Sequence, residues 1–346
     1  MIKRARYLAA GLGCALALSW SASQAQAQGQ VELVGLNVAG AEFTSGQIPG
    51  KHGTHYFFPP ERYFAEWREK GIKMVRFPVK WERLQGRLNT ELDPVYSNLV
   101  DKMLDQAAEN DVKIILDVHN YARYKGNVIG TKETPIAAYR DLMSRIAERW
   151  HEHPALYAYD IMNEPYGADD KWPPAAQAGI DGIREHDMRR PLLIEGTSWS
   201  SAARWPRYAD ALLALDDPAD NLIFSAHVYI DPDASGSYKE GPGKDFDPMI
   251  GVRRVEPFVG WLKEHGKRGH IGEFGVPGDD KRWLTAMENL LVYLQDNCIP
   301  MTYWAAGPSW GNYKLSVEPR KGVEKPQWSV LQKYVGKGNC NEYGPG

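Results

Sequence analysis

Short apolar runs rich in β-branched residues alternate with amphipathic segments along most of the chain, and this alternation limits the possible folds more than any other feature. Eight runs read as strands: Leu33–Asn37, Met74–Pro78, Lys113–Val118, Leu156–Met162, Pro191–Glu195, Leu222–Ala226, Gly269–Gly272 and Pro300–Trp304. Between them, Pro60–Lys70, Asp93–Asn110, Pro135–Trp150, Trp172–His186, Val252–His265 and Arg282–Asn297 carry helical periodicity. A strand as continuously apolar as Val112-Lys-Ile-Ile-Leu-Asp117 must be covered on both faces, which is the condition of a parallel sheet. Several helices stop on residues suited to C-terminal caps, at Gly71, Gly266 and Asn110. Eight such repeats predict an α/β protein folded as a (β/α)8 TIM barrel, which also suits the length of the chain.

The first residues read differently. Lys3, Arg4 and Arg6 precede an apolar run from Tyr7 to Trp20, followed by small polar residues ending in an A-x-A site at Ala27. That order is a secretory signal peptide over residues 1–27, and the apolar run is too short to span a bilayer. Gly11 stands where a lipobox around Cys14 needs an aliphatic residue, so no lipid or membrane anchor is expected. Residues 28–346 then form one catalytic domain with a C-terminal tail, secreted to the periplasm or outside the cell. Cleavage removes three basic and no acidic residues, so the formal charge goes from −3 to −6. An acidic protein of this kind does not suit a nucleic-acid or anionic-membrane partner. Only Cys298 and Cys340 remain, and in an oxidising compartment they are candidates for a disulfide.

In a TIM barrel the chemistry collects at the C-terminal ends of the strands. Six of those ends carry functional side chains: Arg76; His119; Asn163 and Glu164; His227 and Tyr229; Glu273; and Trp304. Two carboxylates on separate strands facing one site suit glycosidic cleavage, one as proton donor and one as ionised partner. A cation such as Arg76 favours the charged form of Glu273, to which Tyr229 can also donate. His227 is placed to tune the proton of Glu164. Asn163 suits a sugar hydroxyl, and Trp304 suits the floor beneath a ring. Two carboxylates and water complete such a reaction, so neither a cofactor nor a catalytic metal is expected.

These eight residues, in this order, resemble the active-site set of glycoside hydrolase family 5, the retaining β-glycanases. The likeness extends from about Gly35 to Pro319. It includes Gly40-Ala-Glu-Phe43, His119-Asn-Tyr-Ala-Arg-Tyr124, Glu195-Gly-Thr-Ser-Trp199, His227-Val-Tyr-Ile-Asp231 and Trp304-Ala-Ala-Gly-Pro308, which are closest to the endo-β-1,4-glucanase branch. The resemblance implies Glu164 as acid/base and Glu273 as nucleophile. It also implies a β-glucan polysaccharide or oligosaccharide as substrate, and we expect a monomer. No Pro/Thr/Ser-rich linker follows residue 30, so soluble or amorphous β-1,4-glucan is expected before crystalline cellulose. Xyloglucan, mannan, β-1,3-glucan and exopolysaccharides stay open as alternatives within the class.

Asn120, beside His119, and Trp199, Trp205 and Trp310 are candidates for substrate contact, Trp199 foremost because it follows strand five directly. Asp231 and Asp233 read as a turn rather than a calcium site. His151 and His153 read as a helix C-terminus rather than a metal pair. A non-catalytic glycan-binding barrel is disfavoured because both carboxylates are present.

Overall fold

The computed structural model describes residues 31–345, so the predicted leader lies outside the described residues. Eight parallel strands close into a barrel: β1 (Val34–Val38), β2 (Met74–Val79), β3 (Lys113–Val118), β4 (Leu156–Asp160), β5 (Leu192–Glu195), β6 (Leu222–Val228), β7 (Gly269–Phe274) and β8 (Met301–Ala306). Each strand pairs with the next in sequence, and β8 returns to β1. The helices follow in turn: α1 (Tyr63–Glu69), α2 (Pro94–Glu109), α3 (Ile136–Trp150), α4 (Trp172–Arg184), the single turn α5 (Trp205–Tyr208), α6 (Ile250–His265), α7 (Lys281–Asp296) and α8 (Pro326–Leu331). The expected barrel is the observed one. Two connections depart from expectation, since α5 and α8 are too short to leave a helical period in the sequence. No described helix is long and apolar enough to cross a membrane.

Local chemistry explains where the elements begin and end. Asp93 caps α2 by accepting from Tyr96 N at 2.8 Å, and Pro94 at the first position needs no N–H partner there. Asp280 caps α7 in the same way. Gly266 ends α6 at φ +58°, a left-handed conformation that glycine adopts without steric penalty.

Alternation along each strand sends one set of side chains outward to the helices and the other into the barrel. The interior has two storeys. Met74, Ile115, Ala158, Leu193 and Ile223 form an apolar layer near the N-terminal end. Two residues further along their strands stand Arg76, Asp117, Asp160, Glu195 and Ser225, all buried and all polar. The lower layer packs against Tyr157 and Tyr343, whose rings stack 6.5 Å apart. Tyr343 belongs to the C-terminal tail, which closes the bottom of the barrel. Gly269 N donates to Gly344 O at 2.7 Å, and Gly344 N to Cys298 O at 2.8 Å. A disulfide joins Cys298 to Cys340 across 42 positions and ties the tail to the end of α7.

Two expected substrate contacts are instead parts of the frame. Trp205 is only 2% exposed and lies edge-on to Phe258, Trp261 and Phe224, between the β5–β6 connection and α6. Its position after a strand end suggested a platform, but the α5 turn points the ring inward. Asn120 is likewise buried: its Oδ1 accepts from Trp81 N and its Nδ2 donates to Glu82, both at 2.8 Å, pinning the loop after β3 to the single helical turn Trp81–Leu84 that follows β2.

Replacing both Cys298 and Cys340 by Ser should lower stability by about 2–4 kcal/mol through loss of the loop constraint, read as an earlier urea midpoint. Trp205→Ala should cost about 3–5 kcal/mol in the same assay, as for other buried large-to-small changes. Trp199→Ala, at a half-exposed ring, should stay within about 0.5 kcal/mol of the parent.

Candidate active site

The site is assembled around the guanidinium of Arg76, which is fully buried inside the barrel. Nε donates to Asp160 at 2.8 Å. Nη1 donates to Asn37 Oδ1 at 3.0 Å and to Glu273 Oε1 at 3.1 Å. Nη2 donates to Asn163 Oδ1 at 2.8 Å and Glu195 Oε1 at 3.0 Å, with Asp117 Oδ2 also at 3.1 Å. Every N–H of the fork is engaged, as a buried charge requires. Of the surrounding acids, Asp160 holds its proton well above the usual carboxylate range, because burial and then the Glu195 charge outweigh Arg76. Glu195 goes the other way. Burial alone would raise it, but His227, Arg76 and the Glu164 N–H together hold it down at about 2.

The two carboxylates singled out from sequence meet above this layer. Glu273 accepts from Arg76 on one oxygen and from Tyr229 Oη, at 2.7 Å, on the other. Glu164 Oε1 lies 2.8 Å from His227 Nδ1. A register shift between Ala226 and His227 sets His227 opposite Glu273 in the ladder, which is how one histidine comes to face both acids. One carboxylate oxygen of each acid and a ring nitrogen of His227 all lie within 4.8 Å of one another. Gly272 has no side chain for a packing reason: a Cβ there would stand 2.8 Å from His227 Nε2.

The environments of the two acids differ. Burial raises the pKa of Glu164, and the hydrogen bond and charge of His227 offset this only in part. His227 itself is raised well above the usual imidazole range. Burial opposes its charge, but the Glu195 and Glu273 carboxylates and the hydrogen bond with Glu164 prevail. Asn163 is buried with its Oδ1 on Arg76, while its Nδ2 donates to no protein group among the described residues.

His119 joins the network through Asp117, whose Oδ2 is 2.7 Å from its Nδ1, and its ring stacks on Trp304 at 5.6 Å. Burial lowers the pKa of His119, but Asp117 and then Glu273 raise it by more. Trp310 stacks on Tyr313 at 4.3 Å, lies edge-on to Trp304, and donates its Nε1 to Ala306 O. It thus braces Trp304 rather than standing free beside the cleft. Trp199 does reach the cleft, 48% exposed and stacked on Tyr166 at 4.8 Å, with the Arg204 guanidinium 6.0 Å from its ring centre and Arg123 over Tyr166. Trp199, Tyr166, Tyr121, Glu164, His227 and Tyr229 line a cleft of about 600 Å³, within the range of small-molecule sites.

Asp117, Asp160 and Glu195 are the members that sequence reading passed over. Each is a lone acid in a run of residues that must be covered, and each shares the inward parity of its strand. That parity is the signal that finds them. The turn after β6 is a turn, as expected: Asp231 accepts from Gly236 N and Tyr238 N.

The sequence profile described as Cellulase (glycosyl hydrolase family 5) matches residues 36–309. The chain is 33% identical over 309 residues to endo-beta-1,4-glucanase A of Emericella nidulans, covering 87% of this chain and 91% of that protein. It is similar to the structure of Pseudomonas stutzeri endoglucanase Cel5A in complex with cellobiose, with TM-score 0.88 and 46% identity over 91% of this chain and 97% of that one. The endo-beta-1,4-glucanase Xac0029 of Xanthomonas axonopodis pv. citri gives TM-score 0.83 and 34% identity, covering 88% of this chain and 98% of that one. The chain is therefore a glycoside hydrolase and belongs to glycosyl hydrolase family 5.

Proposed function

We propose that this enzyme is an exported, monomeric endo-β-1,4-glucanase that cleaves with retention of anomeric configuration, with Glu164 as acid/base and Glu273 as nucleophile. The observation that carries the mechanism is the separation of the pair, with one oxygen of each within 4.8 Å of the other. Retaining pairs stand about 5–5.5 Å apart, whereas inverting pairs need about 6.5–9.5 Å to admit a water. The substrate rests on the named relatives, two of them endo-β-1,4-glucanases and one an endoglucanase with cellobiose bound. Export rests on the leader-like residues 1–27 and fits a disulfide-bonded tail.

In the first step an oxygen of Glu273 bonds to the anomeric carbon as the glycosidic C–O bond breaks, and Glu164 gives its proton to the departing oxygen. In the second, Glu164 takes a proton from water; the water oxygen bonds to the anomeric carbon, and the ester to Glu273 breaks. Arg76 and Tyr229 hold the nucleophile from both oxygens. The spare Nδ2 of Asn163 meets the 2-hydroxyl of the reacting sugar, a contact that strengthens in the oxocarbenium-like transition state. Trp304, squared by His119 and Trp310, lies beneath that sugar, and Trp199 faces the next one along the chain.

Proton NMR of the first reducing ends released from barley β-glucan should show the β-anomer before mutarotation; initial α-anomer would exclude this mechanism. Glu273→Gln should abolish turnover while leaving oligosaccharide affinity nearly unchanged. The acid must be protonated to act, so kcat/KM should decline as pH rises through the elevated pKa of Glu164, above the ordinary value of about 4.3. That alkaline limb should vanish in Glu164→Ala when an activated aryl cellobioside is the substrate.

A further inference from the structure

Glu195 is fully buried and touches no solvent, yet its carboxylate spans three groups of the site. Oε2 accepts from the main-chain N–H of Glu164 at 2.7 Å. Oε1 lies 3.0 Å from Arg76 Nη2 and 3.0 Å from His227 Nε2. The second nitrogen of that imidazole, Nδ1, is 2.8 Å from the Glu164 carboxylate. These contacts close a ring, so that one carboxylate grips Glu164 by its backbone and, through His227, by its side chain. We propose that Glu195 is the positioning residue for the acid, holding both the main chain of Glu164 and the imidazole that faces its proton. The proposal rests on the reading of Glu164 as acid/base.

The backbone shows why such a grip is needed. Glu164 sits at φ +43°, a left-handed conformation that residues with a Cβ avoid, and the charge-assisted bond to its N–H opposes relaxation. Glu195 is itself anchored. Its carbonyl accepts from Trp172 Nε1 at 2.7 Å, and the turn it opens is tied to β6 by His227 N donating to Ser200 O at 2.8 Å.

The contact with His227 Nε2 is out of line for a hydrogen bond but well within ion-pair reach. A negative charge beside Nε2 favours the imidazolium, whose Nδ1–H is then directed at the Glu164 carboxyl. The other groups facing the ring are Glu164 from the loop after β4, Glu273 and His270 from β7, Tyr229 beyond β6, and Arg76 from β2 through Glu195. His270 is pushed down to about 3 by burial and then by Arg76 and His227, so it adds no charge. Burial and then the Glu273 charge keep Tyr229 a neutral phenol. Glu195 and Glu273 are the anions that sustain the imidazolium, and of the two only Glu195 is free of covalent chemistry.

The role makes a split that simple structural support would not. An aryl leaving group such as dinitrophenol departs without a proton, so its cleavage does not need a well-placed acid. In Glu195→Gln, kcat/KM for β-glucan should fall at least about 100-fold, the lower end of what general acid catalysis contributes. On dinitrophenyl β-cellobioside the loss should stay below about 5-fold, since that glycosylation step draws little on the acid. Nitrogen-labelled histidine NMR should find the His227 midpoint above the ordinary value near 6.5 in the parent enzyme, and lower in the variant than in the parent. Equal losses on the two substrates, or a midpoint that does not move, would overturn the role of Glu195. The parent's own titration keeps the proposal testable if the variant does not fold: an ordinary midpoint there overturns it too. Glu164→Ala separates the two readings, because β-glucan turnover that survives this change sinks the acid/base assignment, whatever Glu195 does.

Discussion

A guanidinium sealed inside a barrel must have all its N–H groups engaged, and the arrangement of this site follows from that requirement. Arg76 meets it with five hydrogen bonds, to side chains that β1, β4, β5, β7 and the loop after β4 bring inward. The acids need Arg76 as much as it needs them. Four carboxylates so close together could not all stay buried without a central cation, and even beside it burial and the Glu195 charge push Asp160 well above the usual carboxylate range. Lysine offers no planar fork and could not address so many acceptors in one plane. The polar storey built on Arg76 displaces the apolar layers that fill a barrel, and the stapled tail and apolar lower storey close the space beneath it.

The same cluster gives the two working carboxylates different surroundings. Glu273 is held from both oxygens by donors and sits just above the guanidinium. Glu164 stands at the wall of the cleft, on a strained turn, with the His227 imidazole as a side-chain partner. Burial favours its protonated form. Two acids of similar intrinsic strength are thereby separated in character by what surrounds them, which is the condition for one to donate a proton while the other attacks.

Much of this was legible along the chain. Strands such as Lys113–Val118 coincide with their apolar runs, because a run covered on both faces has little freedom to be anything else. The strand ends named the catalytic candidates for a related reason, since a polar residue closing such a run faces the mouth of the barrel. Strand limits were less legible. Leu156–Met162 stops at Asp160, where the ladder ends and the chain turns toward Glu164, and β6 runs on to Val228 because the shifted register at His227 prolongs it. The direction of a side chain in a loop was not legible at all. Trp199 and Trp205 lie six positions apart after the same strand, one in the cleft and one in the core.

By itself, the sequence determined the α/β barrel, the parity that sends Arg76, Asp117, Asp160 and Glu195 inward, and the pair of glutamates at two strand ends. These depend on hydrophobic periodicity, which is a local property of the chain. Only the tertiary structure decided that the four acids share a single arginine, that a register shift lets His227 face both glutamates, and that Glu195 reaches the backbone of Glu164. Those contacts join residues from six different strands, and the distances between them are set by closure of the barrel. A one-dimensional pattern shows which residues turn inward, but the closed barrel alone determines which of them meet.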